Sequence, residues 1–428
     1  MKRLFLFFFA SLSLHAQGPG TVAQPTGTAV IHNGVVNTQI ANSVVNAAMY
    51  PGADMGEQIN RAIAAVGCGE VLVPKGTYTV KSTIHKPRCV NLRGQSAYGT
   101  ILNWTSTSGT AIVIADNETD GEYPEGEISD LTIQGSGRYT STGTGIFVGG
   151  DPRKDPHAWG DHQNLNRVRV FGWGTGISWG NNVWSMTILE SLISDNQTGL
   201  YYPAGLTNSG ESINVISTST QNNHVALNLP GFADFYFSHC RCDYNDTCGT
   251  VGSAIFIGEH FEQSSGRILT IAGTFQANVS IIGGWALIQA ATGTDVDMFY
   301  VNNPSNPQFL IQGVWMNANH PVTSAIAWNG GGNNAVLTVE SLPYWQAYGN
   351  IKNLLNRKCD FLGCTINDSA SGVFAYNSRG SSVDANGNAL FNSLALRQTP
   401  SSSNTKSDSS LPITLNGKTY YIRLSSTP

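Results

Sequence analysis

The clearest local signal in the chain is Tyr50-Pro51-Gly52-Ala53-Asp54, followed by a helical pattern and by Gly69-Glu70-Val71-Leu72-Val73-Pro74-Lys75-Gly76-Thr77-Tyr78. Asp54 and Glu57 form a D-x-x-E version of the capping box, in which the two side chains satisfy free backbone N–H groups at the start of a helix. Gly67 marks the end of this helix, and the residues after it have the pattern of short strands. Apolar residues recur at helical spacing between these signals, at Ile59, Ala62, Ile63 and Val66.

Short apolar segments separated by Gly, Asn and Asp then follow one another as far as residue 339. No amphipathic helix lies between them, which argues against a βαβ fold. The segments repeat: Gly174-Thr175-Gly176-Ile177 matches Gln197-Thr198-Gly199-Leu200 at an offset of 23 residues, and Ser194-Asp195 matches Cys242-Asp243 at 48, about two periods. A period in the twenties predicts an all-β solenoid, because the strands of a sandwich or barrel, the alternative, would not keep it.

The V-x-x-P-x-G-x-Y pattern of Val71 to Tyr78, the helix before it and Asn91-Leu92-Arg93-Gly94-Gln95 after it resemble the entry module of a known group. This group is the pectate-lyase-like right-handed parallel β-helix superfamily, which includes rhamnogalacturonase-like proteins and phage tailspikes. The resemblance implies that the helix, at about residues 55–66, caps the N-terminal end of a right-handed solenoid. The motif covers about residues 50–105 and the repeat about 50–345.

The resemblance does not fix the chemistry, because one fold hosts many functions. Polygalacturonase-type hydrolases carry N-x-D, D-D, G-H-G and R-x-K signatures, and the last three are absent here in usable form. Trp159-Gly160-Asp161-His162 matches the W-x-D-H motif of pectate lyases by letter. Because no R-x-P-x-x-R motif follows, we interpret this match as mostly chance.

Four parts are predicted along the chain. Lys2-Arg3, a short apolar run and a small residue before the cut predict a signal peptide over 1–16, cleaved near Ala16. The mature protein is then secreted, periplasmic or on the cell surface, and no later segment is long enough for a membrane span. We predict an extended arm over 17–49, the β-helix over 50–345, and a Ser/Asn/Gly-rich tail with a terminal β element over 346–428.

Composition restricts the partners. The chain has 428 residues, of which 12% are charged, and its net charge is −5. No basic excess is present to neutralise phosphates, so nucleic acid is not an expected partner. A hydrophobic share of 41% argues against a disordered chain. Polar contacts must come mainly from Asn, Ser, Thr and Gln, which suit sugar hydroxyls, and a polysaccharide is the predicted partner.

Seven cysteines in an exported chain predict disulfides. We expect Cys68 to pair with Cys89, and Cys359 with Cys364. A metal site in the middle group is the weaker alternative, since no second cluster completes a tetrahedral ligand set. One further disulfide and one free thiol are expected among Cys240, Cys242 and Cys248.

Carboxylates recur at one position of the repeat. Neighbouring coils of a β-helix lie about 4.8 Å apart, so equivalent residues form a ladder. Asp243 and Glu262 would lie one coil apart, a separation near the roughly 5–5.5 Å between the two carboxyl groups of retaining glycosidases. Asp195 and Asp243 would lie two coils apart, about 10 Å, near the wide end of the range for inverting glycosidases. Stacked carboxylates raise one pKa and favour general acid catalysis, whereas the alternative is that these are ordinary turn residues. The aligned positions are Gly172, Asp195, Gln221, Asp243 and Glu262.

His260 adds a group that transfers protons at neutral pH. Strand alternation places His260 and Glu262 on one face, and an ordinary exposed charge pair is the alternative. For a hydrolase we therefore predict Asp195, Asp243, Glu262 and His260 as the catalytic residues. Arg241 is predicted to contact the substrate.

The charge-dense loop over 151–162 interrupts the repeat, and loops of this kind build groove walls. Asp151, Asp155 and Asp161 carry oxygen ligands that suit Ca²⁺, the one cofactor that we predict. Arg153 suits a uronate. These residues matter most for a lyase, which needs a cation and a base, and a solvated turn is the alternative.

Three tryptophans, Trp173, Trp179 and Trp184, cluster within about half a repeat. Sugars stack on aromatic faces, so we predict these residues as substrate contacts. A place in the solenoid core is the alternative for each of them.

These patterns predict an exported protein that cleaves an extended polysaccharide, by hydrolysis or by β-elimination of a uronic acid, in a groove outside the β-helix. A non-catalytic carbohydrate-binding module or surface adhesin is the alternative. The Asn/Thr/Ser-rich tail and the N-terminal arm favour the adhesin alternative, because both can mediate attachment to a surface or assembly into a homotrimer. A further alternative is a tailspike-like depolymerase with its active site between subunits.

Overall fold

The structure is a computed structural model that describes most of residues 44–423. The predicted signal peptide and nearly all of the predicted arm, residues 1–43, lie outside the described part of the chain. From residue 352 onward only the backbone is described. Within 44–423 the description leaves out 117–124, 264–265, 274, 290–295, 332–334, 341–349, 357–360, 369–374, 384–388, 391–409 and 416–417.

The one α-helix among the described residues is Met55–Val66, which follows a 3-10 turn at Ala47–Met49. The Asp54 side chain accepts a hydrogen bond from the Glu57 backbone N–H at 3.1 Å, which confirms the predicted N-terminal cap. The helix ends at Gly67, whose φ of 66° favours glycine. Its buried face lies against the first strands and consists mainly of Met55, Ile59, Ala62, Ile63 and Val66.

The strands form three long sheets, and most coils contribute one strand to each sheet and pair in parallel with the coils before and after them. This is the right-handed parallel β-helix predicted from the sequence. Sheet 1 comprises Val44–Asn46, Glu70–Val73, Asn91–Gly94, Gly126–Ser129, Gln163–Asn166, Met186–Leu189, Ile213–Ile216, Phe235–Ser238, Ser253–Ile257, Asn278–Ile282, Gln308–Gln312, Val336–Glu340, Phe361–Asp368, Ala375–Val383 and Ala389–Leu390. Sheet 2 comprises Gly76–Val80, Thr100–Trp104, Thr132–Gln134, Arg169–Phe171, Leu192–Ser194, Ser219–Gln221, Arg241–Asn245, His260–Gln263, Trp285–Ile288 and Trp315–Ala318. Sheet 3 comprises Ile84–Lys86, Thr110–Ile114, Thr144–Val148, Thr175–Trp179, Thr198–Tyr201, Val225–Leu229, Thr247–Val251, Leu269–Ala272, Asp297–Asn302, Val322–Trp328 and Ile351–Asn356.

Parallel pairing continues past residue 345, where the sequence placed the end of the solenoid. Strand Phe361–Asp368 pairs in parallel with Val336–Glu340, and the next strand, Ala375–Val383, pairs antiparallel. Strands Ser410–Leu415 and Lys418–Arg423 form an antiparallel pair near the C-terminus, where a terminal β element was predicted. No helix among the described residues is long and apolar enough to span a membrane.

The interior of the solenoid is filled by stacked apolar side chains. Phe237 and Phe256 occupy equivalent positions in neighbouring coils of sheet 1, and their ring centroids are 4.8 Å apart. Val215 and Ile281 extend the same buried row to either side. Because this interior is packed, a polymeric substrate can meet the described coils only on their outer surface.

A row of buried asparagines supports the turns between sheets 2 and 3. Asn223 Oδ1 accepts hydrogen bonds from the backbone N–H and the side-chain amide of Asn196, both at 3.0 Å. Asn245 repeats the pattern one coil later, at 2.8 and 3.0 Å to Asn223. The row therefore satisfies buried backbone groups that the turns would otherwise leave unpaired.

Two disulfides are present among the described side chains. Cys68–Cys89 confirms the predicted pair, and Cys242–Cys248 is the pair within the middle group. This second bond rules out the alternative metal site, because it consumes two of the three proposed thiolate ligands. Cys240 is the free thiol; burial raises its pKa to about 12 and leaves it unreactive. The predicted Cys359–Cys364 pair lies outside the described side chains.

Candidate active site

Sheet 2 brings three of the predicted catalytic residues together. Strands Arg241–Asn245 and His260–Gln263 are neighbours, and their register places Asp243 opposite Glu262. The residues immediately before Asp243 and Glu262, Cys242 and Phe261, are buried in the core. Strand alternation therefore directs Asp243 and Glu262 to the outer face of the solenoid.

His260 connects the two carboxylates. Its Nε2 atom lies 3.0 Å from Glu262 Oε2 and 3.7 Å from Asp243 Oδ1. The side chains of Asp243 and Glu262 are 11% and 10% exposed, whereas that of His260 is 31% exposed. The cluster is thus two shielded carboxylates beneath an imidazole that solvent or substrate can reach.

Neighbouring side chains hold this cluster in position. The ring of Trp285, one coil further, meets the ring of His260 edge-on at 4.6 Å between centroids. Gln289 donates a hydrogen bond to the second carboxylate oxygen of Glu262. The same carboxylate lies beside the Tyr244 hydroxyl and raises the pKa of Tyr244. Glu262 is therefore oriented from three sides.

Burial raises the pKa of Asp243 above its ordinary value. The charge of His260 opposes this rise, Glu262 adds to it, and Arg241 opposes it more weakly. Burial also raises the pKa of the neighbouring Glu259 well above its ordinary value. The site therefore offers one carboxyl group that keeps its proton more readily than a free aspartate does.

The predicted ladder is correct at Gln221, Asp243 and Glu262 and wrong by one residue before them. The strand register pairs Gln221 with Ser194, so Asp195 lies one position later, in the turn, with φ of 53°. The alignment slipped because coil lengths differ while hydrogen bonding, not spacing, sets the register. Asp195 is therefore not stacked with Asp243.

Asp195 instead lines a cleft beside the cluster. A bulge between Asp243 and Asn245 makes Tyr244 an extra residue of its strand, with φ of 53°. The cleft has a volume of about 440 Å³. The exposed rings of Tyr139 and Tyr244 stand in its lining, 77% and 53% exposed. The remaining lining residues are Arg138, Asp195, Asn222 and Asp246.

The tryptophan prediction is wrong for two of its three members. Trp173 is fully buried and Trp179 is 1% exposed, because both fill the solenoid interior. Neither can stack on a sugar. Trp184 is half-buried and packs edge-on against Trp159, with ring centroids 5.0 Å apart. The half-buried indoles nearest the cluster are Trp285 and Trp315, which occupy the same position as His260 in the next two coils.

The charged loop does not form the predicted calcium site. Asp161 is fully buried, accepts a hydrogen bond from Arg88 at 2.7 Å and contacts His162 Nδ1 at 2.8 Å. Asp151 accepts from the backbone N–H of Arg153, and Asp155 is exposed. Among the described residues, three metal-ligating atoms converge at Asp243, His260 and Glu262 instead.

Sequence reasoning missed Tyr139, Tyr244, Gln289 and the role of Trp285 in orienting His260. Trp285 was detectable, because a correct alignment of His260 with the next coil would have placed it beside the imidazole. Gln289 lies beyond its strand, at a position that no periodicity marks. Arg241 lies opposite His260 in the register, where a substrate contact was predicted.

Comparison with known proteins finds structures with a similar fold but no related sequence. No protein-family model and no curated protein matches the chain. Among solved structures, the enzymatically active domain of tailspike protein 4 from bacteriophage CBA120 matches with a TM-score of 0.53 and 15% identity. That match covers 77% of this chain and 44% of the tailspike chain, so this chain spans less than half of that protein's length.

Two further structures match more weakly. The A-module of the mannuronan C-5 epimerase AlgE4 from Azotobacter vinelandii has a TM-score of 0.44 and 16% identity, over 76% of this chain and all of that module. A DFA-IIIase from Arthrobacter chlorophenolicus A6 has a TM-score of 0.48 and 10% identity, over 75% and 92%. At 15% identity and a TM-score of 0.53, the tailspike match shows the parallel β-helix fold alone.

Proposed function

We propose that this protein binds an extended polysaccharide across the outer face of sheet 2 and hydrolyses it at Asp243, His260 and Glu262. The observation that carries the proposal is the convergence of two shielded carboxylates, on neighbouring coils of that face, with a partly exposed imidazole between them. The cleft beside them, with its exposed tyrosines, supplies the aromatic contacts that sugars favour.

The geometry favours hydrolysis with retention over β-elimination. One carboxylate oxygen of Asp243 and one of Glu262 lie within 4.8 Å of each other. This spacing is nearer to the roughly 5–5.5 Å between the carboxyl groups of retaining glycosidases than to the roughly 6.5–9.5 Å of inverting ones. Asp243, with its raised pKa, is the proton donor to the leaving oxygen. Glu262, oriented by His260 and Gln289, is the nucleophile.

Substrate is held by residues at equivalent positions of successive coils. Arg241, His260, Trp285 and Trp315 form one outward row along sheet 2, about 4.8 Å from coil to coil. Such a row suits a chain molecule that runs along the solenoid. Asp195 contributes to the neighbouring cleft, where its carboxylate can accept hydrogen bonds from sugar hydroxyls.

The test is a panel of neutral, acidic and uronic polysaccharides, assayed for new reducing ends and for the absorbance of unsaturated uronates. We expect reducing ends without absorbance, and a loss of at least about 100-fold in Asp243→Asn and Glu262→Gln. Glu190→Gln, an exposed carboxylate in a turn, is the control. Absorbance from unsaturated uronates would show that the protein is a lyase and not a hydrolase. Binding without any cleavage would favour the adhesin alternative.

We also propose that the protein is exported and assembles as a homotrimer. Two disulfides support export, because such bonds persist in oxidising compartments. The homotrimer rests on the predicted N-terminal arm and C-terminal tail, which can mediate trimerisation. Sedimentation of the mature protein, residues 17–428, tests it, and a monomer at micromolar concentration would contradict it.

A further inference from the structure

We infer that Asp243, His260 and Glu262 also form a binding site for a divalent transition-metal ion of the Zn²⁺ class, with its fourth coordination position open towards the groove. The three side chains supply one imidazole nitrogen and two carboxylate oxygens. A site with three protein ligands and one open position is the arrangement that reactive zinc sites use.

The distances between the ligand atoms fit a tetrahedral ion. Zinc binds nitrogen and oxygen at about 2.0–2.2 Å, which places neighbouring ligand atoms roughly 3.3–3.6 Å apart in a tetrahedron. His260 Nε2 lies 3.0 Å from Glu262 Oε2 and 3.7 Å from Asp243 Oδ1, on either side of this range. The carboxylate–carboxylate edge lies within 4.8 Å, and a cation between the two oxygens would draw them closer.

Asp243 gives a second and independent indication of a ligand. Its Oδ1 atom faces His260 and is buried, and no hydrogen-bond donor among the described residues reaches it. A buried carboxylate oxygen without a donor is costly, because it loses its water without gaining a partner. A metal ion at this position would satisfy that oxygen.

The surroundings of the cluster resemble the support that metal ligands require. Gln289 and the Tyr244 hydroxyl lie against the Glu262 carboxylate, and Trp285 fixes the plane of the His260 ring. Such outer contacts orient the ligands and raise the affinity for metal by 10- to 100-fold.

The donor set selects zinc over calcium. Ca²⁺ takes six to eight oxygen ligands, and this cluster offers one nitrogen and two oxygens. Imidazole with carboxylates suits Zn²⁺ and its neighbours in the first transition row. The cation site is therefore of a different class and in a different place from the one predicted at Asp151, Asp155 and Asp161.

Metal and proton transfer would compete for the same lone pairs. If the proposed hydrolysis is correct, an ion at the cluster occupies the atoms of Asp243 and Glu262 that donate the proton and attack the sugar. Zn²⁺ is then an inhibitor of cleavage. This consequence rests on the proposed function, whereas the binding site itself rests only on the geometry.

The test is calorimetric titration of the tag-free mature protein with Zn²⁺ and, in parallel, with Ca²⁺. We expect one Zn²⁺ per chain and at least a tenfold loss of affinity in His260→Ala and in Asp243→Asn. The matched control is His224→Ala. His224 and Asp246 lie 2.7 Å apart on the surface and offer one imidazole and one carboxylate, so we expect this variant to bind as the wild type does.

Several outcomes would overturn the inference. These are no zinc binding by the wild type, equal binding by His260→Ala, or a preference for Ca²⁺. Failure of the proposed function would look different, since the metal-free protein would then cleave no polysaccharide while the calorimetry still showed the site. Zinc that binds at the cluster and accelerates cleavage would support the site and contradict the acid and nucleophile roles.

Discussion

At the scale of single residues, identical side chains take different roles because of where the coil places them. Trp173 and Trp285 are both indoles within the repeat. Trp173 is fully buried, and its Nε1 donates a hydrogen bond to the carbonyl of Ile133 at 3.1 Å. Trp285 lies half-buried on the outer face against His260. One is therefore part of the core and the other part of the site.

This difference predicts that the same substitution at the two positions will affect different properties, stability at Trp173 and saccharide binding at Trp285. Trp173→Ala should lower the free energy of unfolding by roughly 3–5 kcal/mol, because it leaves a large cavity. Trp285→Ala should cost only about 1 kcal/mol and should weaken saccharide binding and cleavage. Chemical denaturation and the cleavage assay together measure both. Equal loss of stability in the two variants would contradict the assignment.

Lys86 is a second residue whose surroundings change its chemistry. It is fully buried, and its ammonium donates a hydrogen bond to Gln163 Oε1 at 2.7 Å. Burial lowers the pKa of Lys86 to about 7, against the opposing charges of Asp116 and Glu127. In the unfolded chain the pKa is about 10.4. The unfolded state therefore binds more protons than the folded state between these two values.

It follows that the contribution of Lys86 to stability rises with pH from about 7 to about 10. Lys86→Met should remove this contribution. The free energy of unfolding of the wild type should gain on that of the variant by up to about 1.4 kcal/mol per pH unit in that window. Denaturation curves at several pH values measure the difference. A constant difference would show that Lys86 stays protonated in the folded protein.

At the scale of elements, the turns between sheets 2 and 3 matter as much as the strands. Asn223 accepts two hydrogen bonds from Asn196 and donates one to the Ile193 carbonyl at 3.0 Å. It also donates to Asn245 from both its backbone and its side chain. One side chain thus joins three successive coils close to the strand that carries Asp243.

We therefore expect Asn223→Ala to destabilise the protein by at least about 3 kcal/mol, because it leaves several buried groups without partners at roughly 1–3 kcal/mol each. The control is Asn214→Ala. Asn214 is half-buried on sheet 1, and its side chain donates to the Ser212 carbonyl. This change should cost less than about 1 kcal/mol. Thermal unfolding of both variants tests the difference, and equal midpoints would contradict it.

At the scale of the whole molecule, a solenoid has open ends that must be covered. The helix Met55–Val66 covers the first coil with its apolar face, on which Ile59 is fully buried. Without a cap, unpaired strands and apolar side chains would invite association with a second molecule. The helix is therefore a device against aggregation as well as a folded element.

Ile59→Asp should expose this end and produce soluble oligomers or aggregates at micromolar concentration. Arg61→Asp changes an exposed position of the same helix, whose side chain is 52% exposed, and should leave the state of association unchanged. Light scattering on both variants measures the effect. Identical scattering would mean that the helix is dispensable as a cap.

The sequence by itself determined the class of fold, the cap helix, the Cys68–Cys89 bond and the pairing of Asp243 with Glu262 across one coil. These features depend on local periodicity, capping chemistry and short spacings, which a single chain displays directly. The proximity of His260 also followed from strand alternation over two residues.

Only the tertiary structure decided which of these residues face the core and which face the outer surface, and which residues of neighbouring coils lie opposite one another. Asp195 lies in the cleft and not in the ladder because coil lengths differ. Trp173 and Trp179 are buried in the core, which clustering along the sequence does not reveal. Asp161 forms a buried ion pair with Arg88, which is distant in sequence. Long-range pairing of this kind leaves no local pattern, because it is set by which coils meet in the folded chain.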